Sequence, residues 1–245
     1  MRTLVLVAAS VCAFGQGVNF YSTEKEIALG QTLAATAGGT PFEDPAAQQY
    51  IENLGARLLA QLPTTAPEFT YSFGLISDDW DTGTHEPSAF PGGIILVPTR
   101  LILTARDEAE LAGMLAHSIA HVAKRHYTRQ ETRGQIANQA SIPLIFMGGW
   151  TGYGVRQASQ LAVPLGYLTF ARGFEIDADK EAVRMLGAAG YDPSALPRYV
   201  ERTQMDPQPA QFSPMPSREQ RVEAMRAAIA QQSFLQIQDL VRRAK

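Results

Sequence analysis

Cysteine is all but missing from this chain. The one copy, Cys12, lies near the N-terminus of 245 residues, so no disulfide can form within the chain and a stapled scaffold is excluded. Membrane-length apolar runs are missing too. Leu4 to Phe14, broken only by Ser10, is too short to span a bilayer, as is the segment from Ile142 to Trp150. Nor is there an excess of positive charge. With 18% charged residues and a net charge of −3, there is no basic face for nucleic acid. Histidine is scarce: four in all, two of them four residues apart.

What is present supports one ordinary core. The chain is 45% hydrophobic, with glycine and proline spread as punctuation. Residues 1–15 read as a signal peptide: Arg2 gives a positive start, the apolar run follows, and Ala13 and Gly15 fit the small-residue positions before a cleavage ahead of Gln16. The expectation is an exported protein, periplasmic or secreted, whose mature chain has no cysteine. A lipid-anchored Cys12 is the rival, with the bulky Val11 before it counting against that processing. Residues 16–245 read as a single domain.

Along that domain, Thr23 with Glu26 forms a capping box opening a helix, and Asp44-Pro45 opens the next. Phe69, Tyr71, Phe73 and Leu75 alternate as a half-buried strand. After turn-rich residues 77–83, Pro91-Gly92-Gly93 leads into a second strand, Ile94 to Val97. A long helix is expected from Asp107 to about Tyr127, with Glu110 completing its cap. Gly148, Gly149, Gly152 and Gly154 suggest a loop, either a mobile lid or a plain surface connection. A helix carrying Glu175 ends at Gly190, Asp192-Pro193 starts another, and Ser217 with Gln220 caps the last major one. The class is α+β, mostly helical, with a small sheet.

Chemistry concentrates at His117-Ser118-Ile119-Ala120-His121. Histidines four apart lie one helical turn apart on one face, so both can reach one metal ion. Alone, the spacing is weak. A later segment, Arg172-Gly-Phe-Glu175-Ile-Asp177-Ala-Asp179, adds Glu175 as a candidate third ligand. Asp179, one turn on, could accept a hydrogen bond from the far nitrogen of a ligating histidine. Two histidines, a carboxylate and an open fourth position make a hydrolytic zinc site.

These segments resemble the zinc metallopeptidases of the HtpX, BepA and CaaX prenyl protease type. Leu111 to His126 is similar to the family's HExxH helix, and Arg172-x-x-Glu175-x-x-Ala178-Asp179 to its third-ligand motif. Glu26-Ile-Ala-Leu-Gly30, Pro91-Gly92-Gly93 and Gly190-Tyr-Asp-Pro193 match the opening helix, the active-site strand and a following turn. The resemblance covers most of residues 20–230 and implies a zincin-like, gluzincin fold with one Zn2+ per chain. His117, His121 and Glu175 would be its ligands, with Asp179 and Arg172 behind them. It further implies zinc-dependent hydrolysis of polypeptides, a substrate groove at Pro91, Gly92, Gly93 and Ile94, and envelope protein quality control. Peripheral membrane contact by residues 142–153 stays open.

Two departures stand out. Where the family has the glutamate that serves as general base, this chain has Ser118, which could hold a water but not take its proton. Where the family commonly has an oxyanion-stabilising histidine, in Phe212-Ser-Pro-Met215-Pro-Ser217, it has Met215. Losing a general base costs roughly a hundred- to ten-thousand-fold in rate, and losing an oxyanion donor roughly a hundred- to a thousand-fold. Among substitutes, Asp177 and Glu181 point off the Glu175 face, Glu110 is two turns away, and His126 reads as a helix-end cation. His85, in the loop before the active-site strand, is the one candidate that spacing leaves open. Three readings result: a zinc-binding protein with little or no hydrolysis that holds polypeptide clients; an active endopeptidase with a non-standard base; and a scaffold without metal. Intact His117, His121 and Glu175 count against the third, Ser118 and Met215 against the second.

Overall fold

The computed structural model describes residues 18–37, 39–77, 84–145, 149–206 and 213–243. The expected signal segment with Cys12, most of the turn-rich stretch before Glu86, and positions Gly148 and Phe212 lie outside the described residues. Eight helices are described: α1 (Thr23–Thr36), α2 (Pro45–Leu59), α3 (Thr99–Thr104), α4 (Glu108–Ala123), α5 (His126–Ile145), α6 (Gly149–Ala188), α7 (Ala195–Thr203) and α8 (Arg218–Arg243). With them run four strands, β1 (Thr40–Pro41), β2 (Ser72–Ser77), β3 (Ser88–Ala89) and β4 (Ile94–Pro98). The α+β, mostly helical class is what the sequence led us to expect. No described helix is long and apolar enough to cross a membrane.

The sheet order is β1-β2-β4-β3. Strand β4 runs parallel to β2, from Ser72 opposite Ile94 onward, and antiparallel to β3, with Ser88 opposite Leu96. The Ile94 strand is therefore interior. A peptide cannot add to it as an edge, because the two-residue β3 already occupies that side. The edge beside the site belongs to Ser88–Ala89, directly after Glu86-Pro87.

Helix α4 is the axis of the molecule. Every residue from 110 to 120 is buried, and Met114, Leu115 and Ile119 join Ile95 and Val97 of the sheet and Ala182 and Met185 of α6 in one core. Its N-cap, Asp107, accepts from Glu110 N at 2.8 Å, and Glu110 reaches back to Arg106 N at 2.8 Å. The helix does not continue to Tyr127. It breaks at Lys124–Arg125, where Arg125 has φ +56°. A left-handed residue there is costly for a side chain bearing a Cβ, and it is held by Arg125 bonding Glu26 at 2.5 Å and the Tyr21 carbonyl at 2.7 Å.

That pairing also undoes the expected capping box on α1. Ser22, not Thr23, is the N-cap, and Glu26 is buried against Arg125 instead of reaching back to the helix start. Gly30 of α1 is required by close approach: a Cβ there would stand 1.7 Å from the Pro91 carbonyl oxygen. Gly92, at φ +81°, passes over Ile27 in the same contact. These glycines clamp α1 to the segment ahead of β4.

The expected loop at the glycine cluster is helix instead, since α6 starts at Gly149 and takes in Gly152 and Gly154. At its far end Gly190, at φ +84°, closes the helix, with Tyr191 N donating to the Leu186 carbonyl at 2.9 Å. The next helix starts at Ala195, two residues past the expected Pro193, because Asp192 folds onto Ser194 N. Ser217 and Gln220 do form a reciprocal box.

Candidate metal centre

One turn of α4 separates His117 from His121, and their Nε2 atoms lie 3.0 Å apart. From α6, Glu175 brings Oε2 to 3.5 Å from the first and 3.6 Å from the second. A fourth donor comes from an unexpected place: Glu86, in the segment ahead of β3, sets Oε1 3.0 Å from His117 Nε2. One nitrogen or oxygen of each residue lies within 4.8 Å of all the others. Glu175 Oε2 is buried without a hydrogen bond among the described residues, an arrangement that is costly unless a cation takes its place. Two imidazole nitrogens and two carboxylate oxygens suit zinc and its neighbours. The donors therefore fit a divalent metal.

Charge within the cluster agrees. Burial opposes a proton on His117, but the carboxylates of Glu86 and Asp179 outweigh it and hold the ring well above its usual range. Burial likewise opposes ionisation of Glu86 and Glu175, yet the adjacent histidines keep both below the usual carboxylate range. These groups favour positive charge among them, and a divalent ion supplies more of it than a proton.

Behind His117 stands a buried ion pair. His117 Nδ1 is 2.9 Å from Asp179 Oδ1, and Arg221 of α8 grips both oxygens of Asp179, at 2.8 and 2.7 Å. Asp179 and Arg221 are both fully buried. Asp179 thus lies beside the far nitrogen of His117. Arg221 went unread, because nothing in the spacing of α8 ties it to a motif on α6.

Behind His121 stands His126. The break at Lys124–Arg125 turns it back, so that its Nδ1 is 3.2 Å from His121 Nδ1 and its Nε2 is 3.2 Å from Asp177 Oδ2. It is buried and stacked on Phe174, and burial brings its pKa down to about 4. The expectation of a helix-end cation is therefore wrong: it assumed an unbroken helix, in which residues five apart face different ways. Burial favours the neutral ring. If His121 used Nε2 for a metal, its Nδ1–H would donate to His126 Nδ1, and His126 Nε2–H to Asp177.

Ser118 is buried, and its hydroxyl shares one proton between the carbonyls of Pro87 and Met114, each at 3.2 Å. Met215 rests its sulfur 3.7 Å from Arg221 Nη1. Arg172 donates to the Ser213 carbonyl at 2.9 Å, bracing the turn before Met215. His85 is not a member of the donor cluster; it adopts φ +46° just before Glu86. A cleft of about 230 Å³ opens beside the cluster, lined by Glu86, His121 and Glu175 together with Phe90, Pro91 and Phe174. Of the predicted groove residues Pro91 lines it, whereas Gly92 and Gly93 pack on Ile27 and Thr70, and Ile94 pairs within the sheet.

The sequence model of peptidase family M48 matches residues 45–229, three quarters of the chain. This chain belongs to peptidase family M48. Among its relatives are the beta-barrel assembly-enhancing protease of Yersinia pestis, 28% identical over 190 residues, and that of Escherichia coli strain K12, 29% identical over 177. The matches take in 74% and 67% of this chain but 38% and 34% of those proteins. The mitochondrial metalloendopeptidase OMA1 of Arabidopsis thaliana is 30% identical over 112 residues, 46% of this chain and 22% of that protein. The chain spans little more than a third of the length of the beta-barrel assembly-enhancing proteases it matches.

Proposed function

We propose that this M48 member holds one zinc ion through His117, His121 and Glu175, hydrolyses peptides weakly or not at all, and binds unfolded polypeptide clients in the cell envelope. Zinc bound at such a site would activate a water and polarise a carbonyl. The observation that carries the reading is Ser118. At the position that needs a carboxylate to take the water's proton, the side chain is a hydroxyl already committed to two carbonyls. Met215 removes a second expected contribution, since a thioether donates no hydrogen bond. Client binding is supported by the cleft beside the short β3 edge, whose wall mixes Phe90, Pro91 and Phe174 with the donor side chains. The envelope role rests on the kinship with beta-barrel assembly-enhancing proteases and on the apolar N-terminal segment.

The test is zinc content by elemental analysis, with casein cleavage and suppression of aggregation of an unfolded β-barrel polypeptide measured on the same preparation. One zinc per chain, no chelator-sensitive cleavage, and suppressed aggregation are expected. Chelator-sensitive cleavage by the wild type that disappears in His117→Ala would overturn the reading.

A second reading, an active endopeptidase with a relocated base, has one observation in its favour: the Glu86 carboxylate stands at the cluster. In that case Glu86→Gln would abolish cleavage while leaving zinc bound.

A further inference from the structure

We infer that Glu86 is itself a metal ligand, and that with His117, His121 and Glu175 it closes the coordination shell. The inference rests on the cluster holding a metal, as proposed above, and adds that no position is left for water.

Distances bear on whether Glu86 is a ligand or a base. Donors about 2.0–2.1 Å from a tetrahedral ion lie about 3.3 Å from one another. The His117–His121 pair is at 3.0 Å, and Glu175 is at 3.5 and 3.6 Å from the two rings. Glu86 Oε1 is 3.0 Å from His117 Nε2 and within 4.8 Å of the His121 and Glu175 donors, so it closes on the ion from the His117 side. A general base acts on a metal-bound water, and so stands one hydrogen bond, about 2.6–3.2 Å, outside the ligand shell. A carboxylate oxygen beside His117 Nε2 and grouped with the other three donors stands at ligand range rather than beyond a bound water.

The backbone is arranged to present it. Pro87 restricts the residue before it to extended conformations. The Pro87 carbonyl accepts from Ser118 Oγ, and His85 on the other side is held at φ +46°, a conformation that persists only where its surroundings impose it. Ser118 therefore does more than mark a missing base: it ties down the segment that carries Glu86. The site around it is closed, since Ser118 is buried between the Pro87 and Met114 carbonyls. A glutamate at 118 would have to displace the Glu86 segment.

Charge favours the same conclusion. Two carboxylates and two neutral imidazoles balance a divalent ion, which strengthens binding and weakens its pull on any water. Closed four-ligand shells are the mark of structural zinc sites.

The experiment replaces zinc with Co2+ in the full chain and reads the visible d–d spectrum, together with affinity from competition titration. The wild type should give an intense four-coordinate spectrum that azide does not change. Glu86→Gln, close in shape, should lower Co2+ affinity at least tenfold, in the range seen when even an outer partner of a metal ligand is lost, and its spectrum should respond to azide. An azide response already present in the wild type, or unchanged affinity in Glu86→Gln, would refute ligation by Glu86. A wild-type chain that takes up no Co2+ refutes it as well. Casein cleavage is scored separately. An inactive wild type with unchanged Glu86→Gln affinity loses this inference and keeps the proposed function, whereas an azide-insensitive wild type with weakened Glu86→Gln binding that fails to suppress client aggregation keeps this inference and loses the proposed function.

Discussion

His117 and His121 are one turn apart and face the same point, but they are supported differently. Behind His117, Asp179 and Arg221 are both fully buried and joined by two hydrogen bonds. Behind His121 the chain runs through His126 to Asp177 and Lys124, whose side chains are 44% and 29% exposed. The first support is sealed in the core; the second ends in solvent. A buried ion pair depends on both members, because removing one leaves a desolvated charge with no partner. A rim pair loses little, because water replaces the missing partner. The deep side should therefore set stability, and the rim side should tune the metal.

The largest effect is expected from Arg221→Met. It strands Asp179 at a cost of about 3–5 kcal/mol, which for a domain of this size lowers the thermal midpoint by roughly 6–20 °C. Met215 and Gln204, the other partners of Arg221, lose only ordinary contacts. The double variant Asp179→Leu/Arg221→Met should recover much of the thermal loss, since replacing a whole buried pair with apolar groups is often neutral. It should still bind metal poorly, because His117 has lost what orients it. A double variant as unstable as the single one would mean that packing, not charge, dominates there.

A smaller and different effect is expected on the rim. His126→Phe keeps the stacking on Phe174 but removes the acceptor facing His121 Nδ1. Zinc affinity by competition titration should fall about tenfold or more, with stability changed by about 1 kcal/mol or less. Asp177 keeps Lys124 at 2.8 Å and remains solvated. If the thermal midpoint fell as far as in Arg221→Met, the contrast between the two supports would not hold.

How legible all this was in the sequence depended on range. Local signals read well: the caps at Asp44, Asp107 and Ser217, the Gly190 stop, and the helical spacing that put His117 with His121 and Glu175 with Asp179. Errors arose where a distant contact overrode a local preference. Arg125 drew Glu26 away from its cap and broke the long helix, which carried His126 back onto His121. Glu86 was missed for a related reason. It lies 31 residues before His117 with no periodic relation to it, and only the placing of β3 against α4 brings the two together. A hint was available in the Glu-Pro dipeptide just ahead of the Pro-Gly-Gly motif, since proline fixes the residue it follows.

The smallest effect concerns a carboxylate that is charged and well bonded but not sealed in, outside the metal cluster. Glu108 accepts hydrogen bonds from the hydroxyls of Tyr50 and Tyr191 and pairs with Arg57 at 2.7 Å, while 37% of its side chain stays exposed. The tyrosine hydroxyls, first of all Tyr191, lower its pKa from 4.5 to about 2. A carboxyl depressed on folding stabilises above its unfolded value and loses that contribution as pH falls through the folded one. Wild type should therefore exceed Glu108→Gln in stability by under about 1 kcal/mol near neutrality. That margin should hold down to about pH 4.5 and shrink towards about pH 2. Thermal melts of both proteins between pH 7 and 3 would check it. A margin that stayed constant to pH 3 would show that Glu108 acts through shape rather than charge. A margin as large as that of Arg221→Met would show that exposure does not separate strong carboxylate pairs from weak ones in this fold.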